Sequence, residues 1–200
     1  MASKPRMIRA VPGMGKVYDW RGTRLCPPNG GRIRPLVMVH HIPVVANRKG
    51  IGDFITLGNV LRAQGLAIQA ATDSEGNVAL YTRLDELCYG QRGANSVACG
   101  VEHMHATVGE KWTERQMRAA AWLAFRAMRD YGIPAHTAEL GAGRGRVRVL
   151  RKGHTTHQRV SDAAGYHDRS DPGPGFDRQH LYRLVRWYAR HRHFKGAPTR

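Results

Sequence analysis

Short apolar runs and longer amphipathic stretches take turns along most of this chain. Leu36-Val-Met-Val39 is an apolar run between Pro35 and the pair His40-His41, the pattern of a buried strand. Residues 52–64 carry Phe54, Leu57 and Leu61 at helical spacing and stop at Gly65, which predicts a helix. Leu66–Ala71 and Val78–Thr82 flank the turn Asp73-Ser-Glu-Gly76, a hairpin pattern, and Ser96–His103 reads as a further strand. Thr113-Glu-Arg-Gln116 is a capping box that opens a helix. Met117, Ala121, Ala124, Met128 and Tyr131 lie along one face of that helix, and Gly132 and Pro134 end it. Val147-Arg-Val-Leu150 predicts another strand, leading into a loop with His154, His157, His167 and Asp171. Asp177–His193 reads as a helix with Leu181, Leu184, Val185 and Tyr188 on one face and arginines on the other.

Strands interleaved with helices predict an α/β fold with a mixed central sheet flanked by helices. Residues 1–35, rich in Gly, Pro and Arg, read as a basic N-terminal arm wrapped irregularly over the domain. Residues 36–176 form the domain itself, and 177–200 a basic helix and tail packed on it. Two hundred residues suffice for one core and are too few for two.

Charge changes the picture more than size does. Lys and Arg number 32 against 15 Asp and Glu, a net charge of +17. Such a surplus excludes an acidic solvating protein and predicts a polyanionic partner: nucleic acid, an anionic membrane or an anionic wall polymer. No apolar run reaches the ~18 residues of a membrane span, and the basic N-terminus lacks the apolar stretch of a secretory signal. Cys26, Cys88 and Cys99 are three at unrelated spacings, which argues against a disulfide framework and for a reducing place of synthesis.

The candidate chemistry lies in the histidines. Eleven of them say little by number. Position says more: His40 ends a hydrophobic strand, His154 and His157 follow another, and Asp171 lies in a Ser-Asp-Pro-Gly-Pro turn. Neutral imidazoles with one carboxylate suit zinc at ~2.0–2.2 Å per ligand, and three ligands leave a fourth position for water.

These residues carry a family resemblance. Val39-His40-His41, Gly100-Val-Glu102, and His157 followed fourteen residues later by Asp171-Pro-Gly-Pro-Gly-Phe176 resemble the zinc N-acetylmuramoyl-L-alanine amidases. That family includes phage endolysins, bacterial muropeptide amidases and animal peptidoglycan-recognition proteins. The resemblance spans roughly residues 35–188 and implies the amidase/peptidoglycan-recognition-protein-like fold. It implies His40, His157 and Asp171 as ligands of Zn2+, with His41 competing for the first place and His154 for the second. A strand alternates its side chains, so only one of His40 and His41 can face the metal. Glu102 is implied as general base, and Arg169, two residues before Asp171, as a fixed charge for the oxyanion. Two departures stand out. Ile68 and Gln69 occupy the place where some relatives carry a catalytic Tyr, and Cys88-Tyr-Gly-Gln-Arg92 replaces a Trp/His-rich stretch.

The function expected is thus cleavage of the amide between N-acetylmuramic acid and L-alanine in peptidoglycan by a monomeric, phage endolysin-type enzyme. It would be made in the host cytoplasm and reach the wall after holin-mediated release. The basic surface would hold anionic cell-wall polymers. A non-catalytic peptidoglycan-binding module of the same fold is the alternative, disfavoured because both His, the Asp and the Glu are present. Nucleic-acid binding fits the charge, but no zinc-finger, aromatic RNA-binding or helix-turn-helix pattern supports it.

Overall fold

The structure is a computed structural model and describes residues 5–8, 13–43, 50–107 and 109–191. In chain order its elements are β1 (Arg6–Ile8), β2 (Val17–Asp19), β3 (Val37–His41), α1 (Ile51–Ala63), β4 (Ala70–Thr72) and β5 (Val78–Leu80). There follow β6 (Ala98–His103), α2 (Glu114–Tyr131), β7 (Glu139–Gly141), β8 (Arg148–Arg151), β9 (Gly153–Thr156), α3 (His157–Ala164) and α4 (Arg178–Arg190). Seven strands make one mixed sheet in the order β1-β2-β5-β4-β6-β3-β9. The four strands β4, β6, β3 and β9 run parallel to their neighbours within that group, while β4 meets β5 antiparallel, as the hairpin reading expects.

Helices cover both faces, so every residue of β3 and β6 is buried. On one face Met38, Ala70, Cys99 and Val101 pack against α2 and α4. On the other, Ala71, Ala79 and Tyr81 meet Phe54, Leu57 and Leu61 of α1, and Val37, Val39 and Ala98 meet Val160 of α3. Gly100 is required in β6, because a Cβ there would run into the Gln91 amide and Ile68.

α2 starts where the capping box places it: Thr113 Oγ1 accepts the Gln116 N–H at 3.1 Å, and Gly132 closes the helix in the left-handed region. The reciprocal half of the box does not form. The Gln116 side chain is buried and turns inward instead, to His105 Nε2 at 3.1 Å and to the Met104 carbonyl.

One expected strand lies outside the main sheet, and two expectations need correction. The run at 147–150 does form a strand, but β8 pairs only with β7 in a separate two-stranded sheet, with outward Arg148 alternating with inward Val149. The loop expected after it is β9 followed directly by α3. Thr156 caps α3, its hydroxyl accepting the Arg159 N–H, and Gly165 terminates it at φ 81°. The expected irregular arm also contributes to the sheet, since β2 pairs parallel to β5 and brings Val17 and Trp20 into the core.

Candidate metal centre

The parallel strands β6, β3 and β9 end at the same edge of the sheet, and the candidate site sits there. Register decides which side chains share a face. Val37, Val39 and His41 point from β3 toward the α1/α3 side, while Met38 and His40 point toward α2 and α4. His41 lies beside Glu102 of β6, so the two project together.

His157 is the first residue of α3, and Asp171 follows in the turn after that helix. His157 Nδ1 is 3.2 Å from Asp171 Oδ1, and His41 Nδ1 is 3.8 Å from Asp171 Oδ2. The two imidazoles meet edge to face at 4.4 Å. One potential ligand atom from each of His41, His157 and Asp171 falls within a span of 4.8 Å. The Asp171 turn is tied down from two sides. Its carboxylate accepts the Ile42 N–H at 3.2 Å, and its carbonyl accepts the Gln158 N–H at 3.1 Å. The end of β3 and the start of α3 are thereby held on one carboxylate.

The geometry differs from the expectation at the first position. His41, not His40, joins His157 and Asp171, because the alternation of β3 turns His40 to the opposite face. His154, the competitor of His157, also faces that side: it pairs with Met38 in register and its Nδ1 lies 3.1 Å from His40 Nε2.

Electrostatics fit a cation. Two imidazole nitrogens and a carboxylate form a donor set suited to a borderline dication, and ligands at ~2.0–2.2 Å around zinc lie at separations close to those found. Glu102 is nearly fully buried, and its Oε2 has no hydrogen-bond partner among the described residues. Burial, then the neighbouring Asp171 carboxylate, push its acid up to about 8, with the Arg169 cation acting in the opposite direction. His41 is held down to about 3 by burial and by His157. Burial alone would raise Asp171, but the His157 hydrogen bond and the His41 charge outweigh it and lower its carboxyl below the ordinary range. Arg169 is half-exposed, with Nε 3.9 Å from Asp168 Oδ1, and its charge reaches both Glu102 and His41.

Two features escape sequence reasoning. Gln91 lies over Gly100, fully buried, with neither amide atom hydrogen-bonded among the described residues. His40, His103 and His154 form a hydrogen-bonded row on the far face. The only cue in the sequence was the clustering of His103 and His105 at the end of a strand.

A mixed sheet covered by helices on both faces carries, at the C-terminal ends of its parallel strands, His41 and Glu102 beside His157 of α3 and Asp171 of the following turn, a group that could hold a metal ion. Residues 30–174 match the N-acetylmuramoyl-L-alanine amidase family, and the chain belongs to that family. Among solved structures, it resembles the hydrolase AmiA of Staphylococcus aureus with a TM-score of 0.62 at 20% identity, covering 98% of this chain and 100% of that one. It resembles the endolysin N-acetylmuramoyl-L-alanine amidase LysCS of Clostridium intestinale with a TM-score of 0.59 at 16% identity, covering 86% and 97%. The ectodomain complex of the peptidoglycan recognition proteins LCa and LCx bound to tracheal cytotoxin matches with a TM-score of 0.57 at 14% identity, covering 85% and 94%. At these identities the likeness concerns the fold. No curated protein sequence matches the chain at a significant level.

Proposed function

We propose that the chain is a zinc-dependent N-acetylmuramoyl-L-alanine amidase of the phage endolysin type. The observation that carries this reading is the convergence of His41, His157 and Asp171 beside Glu102, whose Oε2 has no hydrogen-bond partner among the described residues. His41, His157 and Asp171 would hold the ion. When bound, zinc supplies Lewis-acid polarisation of the scissile carbonyl and makes a water acidic, with a pKa towards ~7.

The remaining work falls to the protein. Glu102 takes a proton from the attacking water as its oxygen bonds to the carbonyl carbon. The same carboxyl then delivers that proton to the alanine nitrogen as the C–N bond breaks, so the proton balance closes on one residue. Arg169, set beside Glu102 and His41, offers a fixed positive charge to the oxygen on which negative charge develops. The Ile42 and Gln158 amides keep Asp171 oriented through the cycle.

In this reading the enzyme acts as a monomer, accumulates in the host cytoplasm and meets peptidoglycan after holin-mediated release. Its exposed arginines on α4 attract anionic wall polymers. No helix among the described residues is long and apolar enough to cross a membrane. Release of dye from labelled peptidoglycan with and without a chelator, combined with mass spectrometry of the products, tests the reading. Muramic-acid chains freed from intact stem peptides, only in the presence of metal, are the expected result. A chelator-insensitive activity, or cleavage at another bond, would overturn it.

A further inference from the structure

Behind the candidate metal centre, a row of buried side chains crosses four adjacent strands. Thr72 Oγ1 of β4 lies 2.8 Å from His103 Nδ1 of β6. His103 Nε2 lies 2.9 Å from His40 Nδ1 of β3, and His40 Nε2 lies 3.1 Å from His154 Nδ1 of β9. All four residues are fully buried. The three rings lie nearly parallel, 17° and 24° apart, and Phe176 packs on His40 at 4.8 Å. Burial, the largest cause, disfavours the charged form of each imidazole. A neutral ring has one N–H and one lone pair. His40 therefore donates to one neighbour and accepts from the other, and the three tautomers are set together.

The row stands within a few residues of the site along the chain. His40 precedes His41, and His103 follows Glu102. His154 is three residues before His157, and Phe176 is five after Asp171. These hydrogen bonds also fall at the last rungs of the sheet, where His41 pairs with Glu102 and His40 with Thr156. Beyond those rungs the β3–β6 and β3–β9 ladders end, and only β6 continues, with His103 paired to Thr72 of β4. The surrounding Met38, Val101, Trp112, Phe176 and Tyr182 would accept apolar partners in place of the histidines. Apolar packing is non-directional, whereas hydrogen bonds fix distances within a few tenths of an ångström.

We propose that His40, His103 and His154 are positioning residues: a hydrogen-bonded brace on the back of the sheet that sets the spacing of His41, Glu102 and His157. The proposal rests on the metal-dependent reading above, and it assigns the histidines no contact with metal or substrate.

The test uses the full chain and three measurements. These are zinc affinity against a competing chelator, kcat and KM on a soluble muropeptide, and denaturant unfolding of the metal-free protein. Wild type is measured first; one zinc per chain is expected. A wild type that binds none overturns the metal reading itself and is thereby told apart from failure of the brace. His154→Asn keeps a nitrogen or oxygen at the place of Nδ1 and should retain zinc affinity within about twofold. His154→Leu removes the hydrogen bond at similar volume and should weaken zinc about tenfold, the lower range for outer-shell partners, with a matching loss of kcat at unchanged KM. At the other end of the row, Thr72→Val removes one hydroxyl with little change in shape, so it remains informative if His154→Leu does not fold. It should cost about threefold in zinc affinity, with Thr72→Ser restoring it. Equal zinc affinity in wild type, His154→Leu and Thr72→Val would overturn the brace. So would losses in His154→Asn as deep as those in His154→Leu, since the hydrogen bond would then be irrelevant.

Discussion

At the scale of single residues, the contrast between His40 and His41 is the sharpest. They are adjacent, equally buried and chemically identical, and only the alternation of β3 separates a candidate ligand from a back-face hydrogen-bonding group. His41→Ala should therefore bring zinc content, measured on the dialysed protein, to near zero. His40→Ala should leave zinc bound in stoichiometric amounts at high metal, though with weaker affinity. The reverse pattern would restore His40 as the ligand. Glu102→Gln addresses the proton. The amide keeps the shape but has no useful basicity, so zinc content should hold while kcat falls by roughly 10²–10⁴, the range for losing a general acid–base. Near-normal turnover in Glu102→Gln would remove this residue from the mechanism.

At the scale of elements, the helices were legible because their ends carry chemistry. Thr113 and Gly132 bracket α2, and Gly65 follows α1 in a left-handed conformation. Thr113→Ala should cost about 1 kcal/mol in a urea titration, the usual worth of a cap, with zinc binding untouched. The sheet that β8 joins was not legible, because a four-residue run states that a strand exists and not what it pairs with. Gly153 decides that question: at φ 149° it turns the chain sharply between β8 and β9, close against the His136 carbonyl. The pairing of His157 with Asp171 was legible because the two are separated only by one short helix and a turn. The choice of their histidine neighbour on β3 was not. Choosing between His40 and His41 requires knowing which face of β3 meets α2, and that follows from a register with β6 more than fifty residues away. The histidine row was hidden for the same reason, since its members come from three strands brought together only by the sheet.

At the scale of the whole molecule, the +17 charge is the dominant feature. The structure divides it. Asp19 pairs with Arg21, Asp85 is shared by Arg32 and Arg83, and Glu114 takes Arg118. On α4, by contrast, Arg183, Arg186 and Arg190 are exposed, and none makes an ion pair with a carboxylate among the described residues. Arg192, which the sequence groups with them, lies outside the described residues. The opposite face of α4 buries Leu181, Leu184, Val185 and Tyr188, so the fold holds these three cations outward on a firmly docked helix. Their mutual repulsion is modest, and nothing in the packing requires arginine there. An anionic wall polymer would feel them over about a Debye length, ~8 Å at physiological salt. If the three neutralise three phosphates, release of counterions should weaken binding to isolated cell walls roughly 100-fold between 50 and 500 mM salt. Arg183→Gln, Arg186→Gln and Arg190→Gln combined should flatten that dependence. Cleavage of a small soluble muropeptide should stay within about twofold, because α4 and the candidate centre lie on opposite faces of the sheet. Sedimentation of the protein with purified walls at increasing salt measures the first effect and a muropeptide assay the second. Wall binding indifferent to both salt and the three substitutions would show that these arginines serve solubility alone.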